Sequence, residues 1–130
     1  MNNYAGVLKM DAIVFDKIEF TRKGFKTNNK LKSNLNIQIG TDEENNYKVT
    51  LILNGNKKDE YEFSISLSGF FTIKNVEKME DTLKQDLIGK NAVAIMMPYL
   101  RSEVTLLTAQ PETDSVVLPV FNINKMINKT

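Results

Sequence analysis

The stretch Asn91–Ile127, NAVAIMMPYLRSEVTLLTAQPETDSVVLPVFNINKMI, decides the reading of the whole chain. Asn91 can cap a helix, and Val93, Met97, Leu100, Val104 and Leu107 follow at spacings of three and four. That pattern predicts one apolar stripe on a helix of roughly 18 residues. Met96 widens the stripe, while Ile95 and Leu106 fall on the far side, so more of the helix is apolar than one core contact requires. Such a helix is either sandwiched between two layers or used for assembly. Pro98 lies about two turns inside, where it removes a backbone donor and predicts a kink or restart. Gln110-Pro111 ends the helix, and Leu118-Pro119-Val120-Phe121-Asn122 leads extended chain into a short terminal turn.

Upstream, the sequence reads as a sheet that this helix could cover. Residues 1–10 carry no strong signal, and Ala12–Arg22 is strand-like. Val14, Ile18 and Phe20 share one parity and Ile13 and Phe15 the other, and the apolar face switches at Asp16-Lys17, which predicts a bulge. A polar connection, Gly24–Lys30, holds Phe25; a lone surface aromatic is ordinary, so on pattern alone it carries no function. Leu31–Ile39 alternates cleanly, as does Tyr47–Leu53, with an acidic turn between them. Asn54-Gly55 predicts a hairpin turn whose loop runs to Glu60. Tyr61, Phe63, Ile65, Leu67 and Ile73 face inward along a further strand, with a bulge or bend expected at Gly69-Phe70-Phe71. Val76, Met79, Leu83 and Leu87 repeat at helical spacing, and Gly89 is placed to close that helix. Four antiparallel strands followed by helices on one face make an α+β architecture, read as one domain over residues 1–130.

Composition narrows the chemistry. The chain has 130 residues, 42% hydrophobic and 25% charged, which suits an ordinary globular core without staples. It contains neither Cys nor His, removing thiolate and imidazole ligands, cysteine nucleophiles and the commonest general base. An enzyme is therefore not expected, nor a metal or other cofactor. Net charge is +1, and Lys outnumbers Arg fifteen to two, which argues against nucleic acid as a partner. No run approaches the roughly 18 apolar residues of a membrane span. The expectation is a cytoplasmic protein without membrane insertion. Acidic clusters at Asp42-Glu43-Glu44, Asp59-Glu60 and Glu80-Asp81 read as solvated charge, and Lys57-Lys58 as a solubilising pair. Pattern and composition end at an α+β domain with surplus apolar helix surface, suited to an oligomer or to binding apolar segments.

Three segments taken together go further. SGFFTIKNVEK, IMMPYLRSEVTLLTAQ and LPVFNINKMI, in that order, resemble the SecB family of protein-export chaperones. The resemblance lies in Gly69-Phe70-Phe71 at a strand end, Pro98-Tyr99-Leu100-Arg101 in the long helix, and Pro119-Val120-Phe121-Asn122 before the last helix. In the last motif Phe and Asn stand in reversed order relative to the family. The resemblance implies a four-stranded antiparallel sheet with a long helix on one face and a short C-terminal helix, assembled as a homotetramer, a dimer of dimers. It implies an ATP-independent holdase for unfolded polypeptide clients. The client groove would involve Phe25, Leu31, Phe121, Met126 and Ile127, and the oligomer interface Val93, Met97, Leu100, Val104 and Leu107. Export members dock the translocase motor SecA through an acidic tail and acidic outer-sheet positions. Here the chain ends Asn128-Lys129-Thr130, and those sheet positions align with Lys17, Thr21 and Ser64. A second group of SecB-like proteins serves toxin–antitoxin–chaperone systems by holding an antitoxin, and this chain suits that group at least as well. A third reading, of another class, is a structural scaffold that keeps the fold with its groove covered.

Overall fold

The structure, a computed structural model, describes residues 8–42, 46–73 and 88–118, with positions 82 and 86. Its strands are β1 (Leu8–Arg22), β2 (Leu31–Thr41), β3 (Asn46–Lys57) and β4 (Tyr61–Ile73). All pairings are antiparallel in the order β1-β4-β3-β2, so the two central strands are the last to be made. A five-residue π-helical turn, Ile88–Ala92, leads into α1, Val93–Thr108.

Alternation decides which face is covered. Val49, Leu51 and Leu53 of β3 stand beside Ile65 and Leu67 of β4, and all five are fully buried. Val93, Met96, Leu100 and Val104 of α1 are equally buried, in the same core. The stripe read from the sequence is therefore the face that packs on the sheet. On the opposite side of α1, Ile95, Tyr99 and Leu106 are exposed.

β1 keeps Met10, Ile13, Phe15, Ile18 and Phe20 on the inner face through two register shifts, between Met10 and Ala12 and between Phe15 and Lys17. Each inserts one aspartate. Asp11 accepts a hydrogen bond from Thr72 Oγ1, and Asp16 accepts one from Ser68 Oγ. The second shift is the bulge expected at Asp16-Lys17; it leaves Val14 on the outer face and returns Ile18 and Phe20 to the inner one. The first lies in a segment that carried no signal and turns out to begin the strand at Leu8.

Two expectations within the sheet are corrected. β3 continues through Asn54 and Gly55, which pair with Ser64 and Phe63; the turn comes at Lys58–Glu60, with Asp59 at φ 63°. The Phe63 ring fills the space a side chain at position 55 would need, so this glycine serves packing across the ladder rather than a turn. β4 has no bulge at Gly69-Phe70-Phe71: its register to β3 is unbroken, and the irregularity is on β1 opposite, at Asp11. Gly69 instead makes room on the inner face for the Met96 sulfur and the Phe71 ring.

At the helix, Gly89 is buried inside the π-helical turn and closes nothing, because the chain runs straight on into α1. The N-cap position is Ala92, in helical conformation, without a side-chain cap, so Asn91 does not cap. Of the helix expected around Val76, Met79, Leu83 and Leu87, only Thr82 and Asp86 fall within the described residues, and both are helical. Pro98 is exposed and α1 continues through it. The carbonyl that loses its partner is that of Ala94, also exposed, so water can satisfy it.

Candidate peptide-binding surface

β1 and β2 lie on opposite edges of the sheet, so the connection between them, Lys23–Lys30, must cross the end of the β3–β4 hairpin. That crossing is fastened at several points. The Glu60 carbonyl accepts the N–H groups of Lys23 (2.8 Å) and Gly24 (3.2 Å). Glu60 Oε1 accepts the Thr27 N–H at 2.6 Å and lies 3.0 Å from Lys57 Nζ. Asn29 Nδ2 donates to the Lys58 carbonyl at 2.8 Å. Gly24 comes so close to the Asp59 carbonyl that a Cβ would not fit.

Glu60 is fully buried, which overturns its reading as solvated charge; its partner Lys57 is nearly so. Burial alone would push the carboxyl up. The Thr27 N–H and the Lys57 ammonium outweigh that and hold it below the usual glutamate range. Beneath the crossing, Tyr61 stacks between Phe20 (5.0 Å) and Phe63 (6.3 Å). Burial, reinforced by the Glu60 charge, pushes its hydroxyl up. Glu60 Oε2 and Tyr61 Oη have no hydrogen-bond partner among the described residues.

The chain after α1 is tied to the same junction. Gln110 Nε2 caps the Leu107 carbonyl, and Glu112, at φ 61°, helps reverse the chain. Arg22 donates to the carbonyls of Gly24 (2.9 Å), Pro111 and Glu112 (3.4 Å each) and to Thr113 Oγ1. Lys26 pairs with Asp114 at 2.8 Å. The segment then lies along α1: the Val116 N–H donates to Thr108 Oγ1 (2.8 Å), and the Val116 carbonyl accepts from Thr105 Oγ1 (2.9 Å). This directs Leu118 into the core and leaves Val117 outside, 74% exposed.

Phe25 is carried on this fastened crossing and is 83% exposed. Fixed backbone beneath an exposed aromatic is how a binding surface differs from a stray surface side chain: little ordering entropy is lost when a partner covers it. Leu31 begins β2 at the same end of the sheet, half-buried against the core. Phe121, Met126, Ile127 and the Pro119-Val120-Phe121-Asn122 motif lie outside the described residues. The residues expected at an oligomer interface are placed otherwise. Val93, Met97, Leu100 and Val104 are buried in the chain's own core and Leu107 is packed against it, because that stripe covers the sheet. The exposed face of α1 carries Ile95, Tyr99 and Leu106 instead.

Sequence reasoning missed Arg22, Glu60 and Val117. Only the rarity of arginine offered a signal for the first; a glutamate beside a turn looks the same whether buried or solvated. Lys17, Thr21 and Ser64 do lie together on the outer sheet face, lining a concavity of about 510 Å³ with Glu19 and Glu62. Both of those glutamates are paired, Glu19 with Lys17 at 3.1 Å and Glu62 with Lys23 at 3.0 Å. Among the described residues no three acidic side chains gather to hold a metal ion, and no helix is long and apolar enough to cross a membrane.

The architecture is that of the SecB-like chaperones. It matches the Mycobacterium tuberculosis SecB-like chaperone Rv1957, solved in complex with a ChAD peptide from the Rv1956 HigA1 antitoxin, with a TM-score of 0.75. That match covers 91% of this chain and 93% of the other at 11% identity. A Streptococcus agalactiae protein of unknown function shares the fold at a TM-score of 0.56 and 13% identity, over 87% of this chain and 97% of its own. By sequence, the chain belongs to the same family as the uncharacterized protein MJ0357 of Methanocaldococcus jannaschii. The two are 30% identical over 131 residues, 92% of this chain and 82% of that protein. No protein-family model matches.

Proposed function

We propose that this chain is an ATP-independent holdase that captures non-native polypeptides and keeps them from aggregating. The observation that carries the reading is Phe25, held 83% exposed on a fastened crossing, in a fold shared with a chaperone solved with a bound peptide. A client's apolar side chains would bury against Phe25, Leu31, Phe121, Met126 and Ile127, at about 25 cal/mol per Å² removed from water. Extended clients can add backbone hydrogen bonds. No covalent step is involved, so the protein is not an enzyme and works without a cofactor in the cytoplasm. It assembles as a homotetramer, the exposed face of α1 with Ile95, Tyr99 and Leu106 meeting a second subunit.

A second reading, a dedicated antitoxin chaperone, is favoured by the antitoxin peptide on the mycobacterial structure. Hand-over to SecA is not favoured, because the outer-face carboxylates Glu19 and Glu62 are each neutralised by a lysine. The test is suppression of aggregation of a chemically unfolded protein without ATP, with light scattering for mass. Suppression near one tetramer per client supports the holdase. A tetramer that protects only an antitoxin supports the second reading. A tetramer that protects neither leaves a scaffold, and a monomer refutes the assembly.

A further inference from the structure

Glu60 supplies three of the bonds that place the crossing. Its carbonyl takes the N–H groups of Lys23 and Gly24, and its carboxylate takes that of Thr27, two residues beyond Phe25. The carboxylate reaches the crossing from a fully buried position. It rests between Lys57 of β3 and the Thr27 backbone, with Tyr61 of β4 beside it. The other charges around the junction are already engaged: Arg22 with the segment after α1, and Lys26 with Asp114. Glu112 contributes a weaker field at Lys26. Three carboxylates thus reach the crossing among the described residues: the exposed Glu62 on Lys23 and Asp114 on Lys26, and Glu60, which is buried and takes a backbone N–H.

We infer that Glu60 is the positioning residue of the client surface, and that protonating its carboxylate frees the Phe25 segment and weakens capture. This rests on the holdase reading for its consequence, while the anchoring itself is independent of any client. In acid, the carboxylic acid no longer pairs with Lys57 and accepts the Thr27 N–H only as a neutral group, with about half the strength. The segment around Phe25 then opens locally while the strands below remain paired. Hydrogen bonds to charged groups are worth enough for their loss to raise local opening on the order of tenfold to a hundredfold.

The experiment measures amide hydrogen exchange at Thr27, corrected for intrinsic rate, in the full chain and its E60A, E60Q and F25A variants. Binding of a reduced, carboxymethylated protein that cannot refold is measured alongside. In E60A, Thr27 exchange is expected to rise by that factor while core amides such as Leu51 keep their protection, and capture weakens. In the unmodified chain, Thr27 exchange rises as pH falls through the carboxylate range; in E60Q it is already raised and flat with pH. If E60A does not fold, E60Q and the pH profile decide. Unchanged Thr27 exchange in E60Q with no pH dependence in the unmodified chain overturns the inference. So does faster exchange with undiminished capture where F25A abolishes capture. If unmodified chain and F25A both capture nothing, it is the holdase reading that fails, and Thr27 exchange still decides the anchoring.

Discussion

Replacing Gly69 by alanine tests the contact on which sheet and helix meet. Gly69 lies on the inner face of β4 between Val49 and Ile13. A Cβ there would sit 2.7 Å from Phe71 Cε1 and 2.8 Å from Met96 Sδ. Contacts between such atoms are comfortable only at about 3.5–4.0 Å, so ring or thioether must move. Overpacking of this kind costs about 1–3 kcal/mol. Against it, no glycine among the described residues has positive φ, so alanine adopts this backbone freely. It gains about 0.4–1 kcal/mol from a less disordered unfolded state. G69A is therefore expected to lose about 1–2 kcal/mol. The thioether is the softer neighbour, and M96A alone should cost about 2–5 kcal/mol through the cavity it leaves. In the double variant the new methyl group occupies part of that cavity, so the combined loss falls short of additivity by at least about 1 kcal/mol. Equilibrium urea unfolding of the four proteins measures this directly. A G69A variant as stable as the parent, with additive losses in the double variant, would refute the placement of Met96 over Gly69.

Further expectations follow from the same geometry. Leu100→Ala, at a fully buried position, should cost about 2–5 kcal/mol in urea unfolding. Leu106→Ala, at a position 67% exposed, should leave monomer stability within about 0.5 kcal/mol and reduce the assembled mass in light scattering. Because the Glu60 carboxyl is held below its usual range, its contribution is complete above the unfolded value of about 4.3. It is lost as pH falls through the lower folded value, so the stability gap between the chain and E60Q should close across that acid window. Phe25→Ala should leave the unfolding midpoint unchanged and abolish suppression of client aggregation at equal protein concentration.

How much was legible depended on whether a residue's environment is set by its neighbours in sequence. Period-two runs in Leu31–Ile39 and Tyr61–Leu67 gave strands on the correct faces, and the parity switch at Asp16 gave its bulge. The stripe on α1 was read correctly as a stripe, but periodicity does not say whether sheet or subunit covers it. Ile95 and Leu106, on the far side of that stripe, are the apolar residues the sheet leaves exposed. Asn54-Gly55 misled because the same dipeptide that tolerates a turn also leaves space, and here Phe63 across the ladder used the space. Glu60 was illegible for a different reason: what buries it is a crossing chain that arrives from the far edge of the sheet, 33 residues earlier at Thr27. The candidate surface around Phe25 shares that difficulty, because its crossing meets the β3–β4 hairpin only after the sheet is complete.

The strand order β1-β4-β3-β2 also sets a timetable for synthesis. β2 finds its partner β3 as soon as the next hairpin emerges, but β1, made first, pairs only with β4, made last. At roughly 5–20 residues per second, Leu8 waits several seconds outside the ribosome for Ile73. Through that interval the alternating apolar side chains of β1 are without cover, and so is the strand's backbone. The two aspartates that interrupt it, Asp11 and Asp16, place charge and irregular spacing in the segment with the longest exposure, where a nascent strand is most open to pairing with its neighbours on a polysome.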